Sequence, residues 1–527
     1  MFQYPSIFND VFGPVMRGAS SSHVAGAVRI GLLSKQLLQG DLTKAVAEFD
    51  QKGSLATTYD GHGSDIGLAG GLLGFDPADQ GVPKSLEIAK DKGIEIKFEI
   101  TDYEADHPNT YKLTLYTENE FIKITAVSIG GGMVELIEFN GFEISIKGDF
   151  YESLILIKDV KENEFKEILA EIKAKISDYE FIDCTNKGNN YLINVKRAEE
   201  LSDETINQIS QINGVSNVQS LSPVLPVMSR KNIKVPFKTI DQMIETASEK
   251  NLDMWELATL YESARGNMPE SEVYEKMQEI VELMETSIKK GLAGTEYNDR
   301  ILGPQAWMVK KEAENNNLIP TTILNNVISK TMAVMEAKSS MELIVAAPTG
   351  GACGVIPGAV IGVSDSLNLN KEKIIKAMFS AAIIGIFISE QATFAGEEGG
   401  CQAECGSGSG MAAAGLVQLL GGDVQTALNA ASIALQNIMG LICDPIANRV
   451  EAPCLGRNVM AASNAIISAN MALAGVDSVI PLSEVIDTMY SVSKMMPCEL
   501  RCTGLGGLSV TKTAKRIEEK LKEDKSI

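Results

Sequence analysis

The amino-acid sequence predicts a multidomain chain: an α+β part over residues 1–148, a small βαββαβ unit over 151–226, and a large all-α part over 237–527. Three observations predict this. Short runs that alternate apolar with polar residues crowd the first 148 residues, as half-buried strands do. A strand–helix–strand–strand–helix–strand order follows. Beyond Ile240 strand signals nearly vanish and helical periodicity takes over. At roughly 100–200 residues per domain, 527 residues fit two to four domains.

Residues 24–38, apolar with small side chains, read as a helix. Residues 94–100, 112–116, 121–129, 133–139 and 142–146 alternate or are β-branched and aromatic, and read as strands. The glycines at 130–132 and the Asn140-Gly141 pair read as turns, the latter a hairpin signal. In the second unit, 153–157, 181–184, 191–195 and 218–221 read as strands. Phe165, Ile168, Leu169, Ile172 and Ile176 give 162–176 a helical spacing. Ser202 caps a helix over 202–212 that ends near Gly214. Residues 229–236, basic and proline-containing, read as a linker. The helical part is interrupted by Gly-rich stretches at 348–358, 396–410 and 503–507, where functional loops belong. Its longest apolar run, 377–388, is shorter than the roughly 20 residues of a membrane span and reads as a buried core helix. Residues 511–522 form a charged amphipathic helix.

Apolar residues make up 45% of the chain, enough for sizeable cores, and the net charge is -22. That charge excludes a nucleic-acid binder, which needs a basic surface, and offers no polybasic membrane patch. Residues 1–20 mix Pro5, Asp10, Pro14 and Arg17 with apolar residues and read as no signal segment. The cytoplasm is then expected, where thiols stay reduced. Eight cysteines there are no disulfide framework. Cys184 stands alone, whereas the other seven fall between 353 and 502. The three histidines, His23, His62 and His107, lie in roughly the first fifth. Soft ligands at one end and imidazoles at the other predict two parts meeting at one site.

Cys401 lies in EEGGCQAEC, Cys443 in GLICDPIA and Cys454 in VEAPCLGRN. Thiolates in flexible Gly- or Pro-flanked loops suit an iron–sulfur cluster. Their intervals of 42 and 11 residues match no local cluster or zinc motif, and buried structural cysteines are the plainer reading. Ser20, Ser21 and Ser22 precede His23 before a helix, where hydroxyls and N–H groups can hold a carboxylate; one serine also serves as an N-cap. His62 lies in Gly61-His62-Gly63-Ser64-Asp65. Gly63 lets backbone approach a ligand, and Asp65 is placed to orient the imidazole. His107 precedes Pro108-Asn109-Thr110, a turn displaying polar side chains. A histidine with its ordinary pKa near 6.5 suits proton transfer, so His62 and His107 are both candidates for a base. The turn Thr349-Gly350-Gly351 has no partnering lysine and matches no phosphate loop.

VAAPTGGACGVIPG (345–358), GGCQAECGSGSGMAAAG (399–415), LICDPIANRVEAPCLGRN (441–458) and CTGLGGL (502–508) closely resemble the α part of bacterial iron–sulfur L-serine dehydratases. GASSSHVAG (18–26), DGHGSDIGLAGGLLG (60–74) and DHPNT (106–110) resemble the β part. INGVSNVQSLSPVLP, with the βαββαβ order, resembles an ACT regulatory domain. The resemblance implies a [4Fe–4S] cluster on Cys401, Cys443 and Cys454. It also implies conversion of L-serine to pyruvate and ammonia, in amino-acid catabolism and gluconeogenesis. Three ligands leave one iron open as a Lewis acid, and a histidine takes the α-proton. The Ser20–Ser22 loop would grip the substrate carboxylate, and Thr349 and Gly350 would touch substrate beside the cluster. Cys353 is expected near the site but not as a ligand, Cys405 as a competing ligand, Cys498 and Cys502 as a C-x3-C pair, and Cys184 as packing. Some relatives end in a cysteine tail that reaches the site, whereas this sequence ends in Lys-Ser-Ile. ACT-like units commonly pair, so a homodimer is expected. Three rivals remain. A pyridoxal-phosphate dehydratase lacks a lysine with a matching glycine-rich phosphate loop here. An iron–sulfur cysteine desulfidase would share the cluster part, but the histidine-bearing N-terminal part argues for serine. An amino-acid-sensing protein would carry a structural cluster.

Overall fold

The computed structural model describes residues 4–176 and 178–525. Met1–Gln3, Ser177 and the final Ser526-Ile527 lie outside them. Sheets dominate the first 221 residues and helices the rest. The first sheet has six strands in the order Glu95–Thr101, Lys44–Asp50, Thr110–Tyr116, Phe121–Gly130, Met133–Phe139, Phe142–Ile146. All neighbours are antiparallel except Lys44–Asp50 with Glu95–Thr101. The five strands read from alternation are present. Lys44–Asp50 was not read, because its inward side chains Ala45, Ala47 and Phe49 alternate with weak contrast. The Asn140-Gly141 turn has both residues at positive φ (51° and 85°), the conformation that a two-residue hairpin with native twist requires.

The second sheet runs Val215–Leu221, Tyr151–Ile157, Asn190–Arg197, Phe181–Lys187, all antiparallel. Its faces bury different partners. Ile155, Ile157, Ile193 and Val195 pack against Phe165, Ile172 and Ile209 of the helices Glu162–Lys175 and Asp203–Ser210. Leu154, Leu192 and Leu221, one residue out of step, join the core of the first sheet. The period of two along a strand makes this two-sided burial possible. Cys184 sits exposed on the edge strand Phe181–Lys187 and does no packing, a correction to its expected role. Ser202 caps its helix by accepting from Thr205 N–H.

The helical region centres on Lys371–Gln391, whose residues 377–388 are all buried. By length and composition this helix could cross a membrane; here it is packed among Met254–Gly266, Glu270–Ala293 and Ser407–Leu419. One strand pair joins the halves of the chain, and one helix crossing braces the N-terminal part. Val15–Arg17 pairs antiparallel with Leu343–Val345, which sets the Gly18–His23 segment beside the Thr349–Gly351 turn. The helices Gly26–Gln36 and Ser64–Leu73 cross with backbones touching. A Cβ on Gly71 would fall 2.0 Å from the Val28 carbonyl oxygen, so only glycine permits this approach. That crossing holds the His62 loop against the serine loop.

Candidate active site

Ser20 begins the site by capping the turn Ser21–Ala25, accepting from His23 N–H. The His23 ring is fully committed. Nε2 lies 3.2 Å from Thr58 Oγ1, and Thr58 already donates its hydroxyl hydrogen to the Ser54 carbonyl at 2.7 Å. Thr58 must therefore accept from Nε2–H, which leaves Nδ1 as the acceptor. Nδ1 faces Ser20 Oγ at 3.1 Å and Glu397 Oε1 at 3.5 Å. Burial, with the neighbouring His62, holds His23 well below the usual histidine range, so it is neutral. Glu397 is pushed up to about 7 by burial and by Glu404 and Glu398, so near neutral pH its carboxyl is often protonated and can donate.

His62 stands edge-on to His23 with ring centroids 4.5 Å apart. It is buried, and among the described residues neither ring nitrogen has a hydrogen-bond partner. No hydrogen bond from Asp65 therefore orients the imidazole, contrary to the sequence expectation; the left-handed Gly63 (φ 85°) separates His62 from the helix Ser64–Leu73 that carries Asp65. Burial, then the positive charges of Arg449 and Lys338, push His62 down to about 3. An imidazole so held is neutral at any ordinary pH and keeps a lone pair.

One buried cavity gathers Ser20, Ser22 and His62 from the N-terminal part with Gly351, Glu397, Glu404, Cys443, Cys454 and Cys502 from the helical part. Ser21, His23, Thr349 and Gly350 stand behind this wall. Gly350 N–H donates to Ser21 Oγ at 3.1 Å, and Thr349 donates to Glu404 Oε1 at 2.7 Å. His107, Asn109 and Thr110 lie off the cavity. Asn109 N–H donates to His107 Nδ1 at 3.1 Å, Ser54 donates to Asn109 Oδ1 at 2.5 Å, and Thr110 donates to the His107 carbonyl. His107 is half-buried and lowered by that burial.

The thiols converge from four loops. Cys401 precedes the turn Gln402–Gly406, which Gln402 anchors by donating to Ser493 and accepting from Gly440 N–H. Cys443 is stitched to the C-terminal loop: its N–H donates to the Leu500 carbonyl at 2.8 Å, and Cys502 N–H donates back at 2.9 Å. Cys454 opens the helix Cys454–Leu473. Cys405 lies beside Cys401, and Cys502 beside Cys443, each pair electrostatically coupled. The neighbouring thiol and burial raise the Cys405 and Cys443 thiols well above their ordinary value, and burial raises Cys454. The C-x3-C pairing is corrected: the positive φ at Cys502 (60°) turns it inward, whereas Cys498 is exposed. Cys353 is buried against Met335, its thiol pushed up to about 12 by burial, and stays off the cavity.

Sequence reasoning missed Glu397 and four more residues here. Lys338, fully buried in the helix Thr322–Ser339, donates to the Val450 carbonyl and lends positive charge to Glu404, Cys454 and His62. Arg457 pairs with Asp444 at 2.6 Å next to the thiols. Asn458, completely buried, donates to the Gly351 and Cys454 carbonyls and accepts from Gly354 N–H. Glu404 is raised by burial. Nothing in local periodicity marks these side chains; the sole hint was polar residues inside apolar helices.

Among the described residues, no three His, Cys, Asp or Glu side chains close on one point as ligands of a single ion would. A cluster asks for a different arrangement, with each thiolate on its own iron. The free volume at the centre is ≈ 20 Å³, room for about one water, so anything larger held here displaces side chains and touches them directly. The donor set fits such a group. The thiols are soft, buried and free of disulfides, with Lys338 and Arg457 to offset anionic sulfur. The raised Cys443 and Cys454 thiols stay protonated without a metal, which a bound cation reverses.

Buried nucleophiles, a neutral imidazole with a spare lone pair and proton-bearing carboxyls around one cavity define an enzyme active site. The chain matches the family described as serine dehydratase alpha chain over residues 249–509. It is 37% identical over 285 residues to a probable L-serine dehydratase alpha chain of Bacillus subtilis, covering 54% of this chain and 95% of that one. It is 36% identical over 215 residues to the probable beta chain of the same organism, covering 40% and 94%. With an L-serine dehydratase of Helicobacter pylori it shares 27% identity over 518 residues, 97% and 99% of the two chains. The chain belongs to the L-serine dehydratase family, with both parts in one polypeptide.

Proposed function

We propose that this enzyme converts L-serine to pyruvate and ammonia, by elimination of water that is returned when the resulting imine hydrolyses, in the cavity between the Ser20–His23 loop and the cysteine loops. The observation that carries the reading is the meeting of His62 with Cys443 and Cys454 around one buried space. Cys401, Cys443 and Cys454 would hold a [4Fe–4S] cluster, which supplies Lewis acidity toward a serine hydroxyl when bound. The protein's own groups account for the rest. Ser20 and Ser22 offer hydroxyls to the substrate carboxylate. His62, neutral and unpartnered, takes the α-proton; we assign it this role over His107, which lies off the cavity. Glu397, with its pKa near 7, is matched to hand a proton to the departing hydroxyl. Burial excludes water until the aminoacrylate leaves, tautomerises to the imine and hydrolyses to pyruvate and ammonia. Purification without oxygen, an iron count, and pyruvate release from L-serine test the reading together. Iron-free protein, or sulfide release from L-cysteine without pyruvate from serine, refutes it.

We also assign residues 1–148, 151–226 and 237–527 as separate domains, the middle one ACT-like. The antiparallel order of its sheet, with both helices on one face, supports this. Free thiols at all eight cysteines support a reducing cytoplasm. We expect a homodimer, which light scattering checks against the 56.6 kDa of one chain.

A further inference from the structure

His62 is aimed by its backbone. Among the described residues neither ring nitrogen has a hydrogen-bond partner, so the turn that carries the ring decides where it stands. Within that turn His62 N–H donates to the Thr58 carbonyl at 2.8 Å. Two contacts from the cysteine part of the chain meet the turn, and both come from Asn448. Its Nδ2 donates to the Thr57 carbonyl at 3.0 Å. A Cβ on Gly61, the residue before His62, would fall 3.0 Å from the Asn448 carbonyl oxygen and 3.6 Å from the Asn448 Cβ. Asn448 therefore lies against both ends of the turn.

The segment that presents Asn448 runs between Cys443 and Cys454 and closes on itself. Ile446 N–H donates to the Ala452 carbonyl at 2.8 Å, and Arg449 N–H donates to the Ile446 carbonyl at 3.0 Å. Ala447 and Asn448 both stand at φ 51°. Asparagine tolerates this left-handed conformation, whereas an alanine in it is strained and persists only where its surroundings over-determine it. On the far side of Asn448, a Cβ on Gly504 would fall 2.2 Å from the Asn448 Oδ1, so glycine two residues after Cys502 makes room for the amide. The side chain is thus seated between the turn of His62 and the loop of Cys502. Outward of this seat lies a cavity of ≈ 400 Å³, lined among others by Tyr59, Asp60, Leu505 and Leu521. A cavity in that place supplies no core packing to press the turn onto the cysteine loops, which leaves the Asn448 amide as a specific tie between them.

We propose that Asn448 is a positioning residue for the reaction: it docks the turn 57–62 onto the cysteine loops and so sets where His62 stands relative to the substrate. This inference rests on the reading of His62 as the base. Asn448 itself lies outside the active-site cavity and acts through His62. Its action needs the amide hydrogen, which reaches the Thr57 carbonyl, and the missing side chains of Gly61 and Gly504, which admit it.

Two variants test it. Asn448→Gly keeps the left-handed backbone and removes the amide; Asn448→Asp keeps the shape and removes the N–H donor. Hydrogen exchange is followed by mass spectrometry on the full-length enzyme purified without oxygen. Amides of residues 57–64 should exchange about fivefold faster or more in both variants, with those of residues 402–420 unchanged. In the same preparations kcat for pyruvate formation should fall about tenfold or more, with KM within about threefold of wild type and the iron count and absorbance retained. Unchanged exchange in both variants overturns the proposal, and so does kcat within about twofold of wild type. Loss of iron in step with kcat also overturns it, because Asn448 would then support the cysteine loops and not His62. A wild type that forms no pyruvate refutes the assigned reaction, and the exchange result then still decides whether Asn448 docks the turn.

Discussion

Gly350 is the point where the two halves of the active site touch, and substituting it with alanine probes the architecture directly. A methyl there would stand 2.9 Å from Ser21 N and 3.3 Å from Ser20 C and Cα. These are backbone atoms of the loop that caps His23, not ends of flexible side chains. The turn or the loop must shift by a few tenths of an ångström, which opens the 3.1 Å bond from Gly350 N–H to Ser21 Oγ. Both partners are buried. Leaving a buried donor unpaired costs roughly 1–3 kcal/mol. If the loss falls on substrate positioning, kcat/KM drops roughly 5- to 150-fold, at about 1.4 kcal/mol per tenfold. The assay is pyruvate formation from L-serine by oxygen-free enzyme, with melting temperature measured alongside. Gly303→Ala, where a methyl meets nothing within 4 Å, is the control. Gly350→Ala with kcat/KM within about twofold of wild type and an unchanged melting temperature would refute the reasoning.

Three further outcomes follow from the same geometry. His62→Ala should lose most of kcat while keeping the broad brown absorbance of an iron–sulfur protein, and His107→Ala should lose much less; near-wild-type turnover of the first variant sinks the assignment of the base. Cys443→Ser and Cys454→Ser should lose iron on purification, whereas Cys498→Ser, at an exposed position, should retain it. Glu397→Gln should show a pH-dependent gain in stability of the iron-free protein. Its carboxyl rises from 4.5 to about 7 on folding, so the folded state holds a proton that the unfolded state has released. That penalty grows as pH rises from about 4.5 and is complete above about 7, reaching about 3 kcal/mol at about 1.4 kcal/mol per pH unit. The melting-temperature difference between variant and wild type should widen between pH 5 and 8, in the order of that figure; a flat difference contradicts it.

Much of this protein was legible in its sequence. Strand alternation set five of the six strands of the first sheet, because a pleated strand puts every second side chain on one face wherever it lies in a fold. The βαββαβ order and the Ser202 cap are equally local. The segregation of three histidines from seven cysteines pointed to a joint site, and the Gly- and Pro-flanked motifs marked which loops would form it. The tertiary structure decided what no local pattern encodes. It joined Val15–Arg17 to Leu343–Val345 and so faced the serine loop toward the Thr349 turn. It separated Cys502, inside the cavity, from Cys498 on the surface, through one residue at positive φ. It left His62 without the Asp65 contact and set Lys338 among carboxyls and thiols. Periodicity reports only which face of an element avoids water. Which buried polar group meets which depends on how elements distant in the chain pack, and burial then sets the charge each group carries.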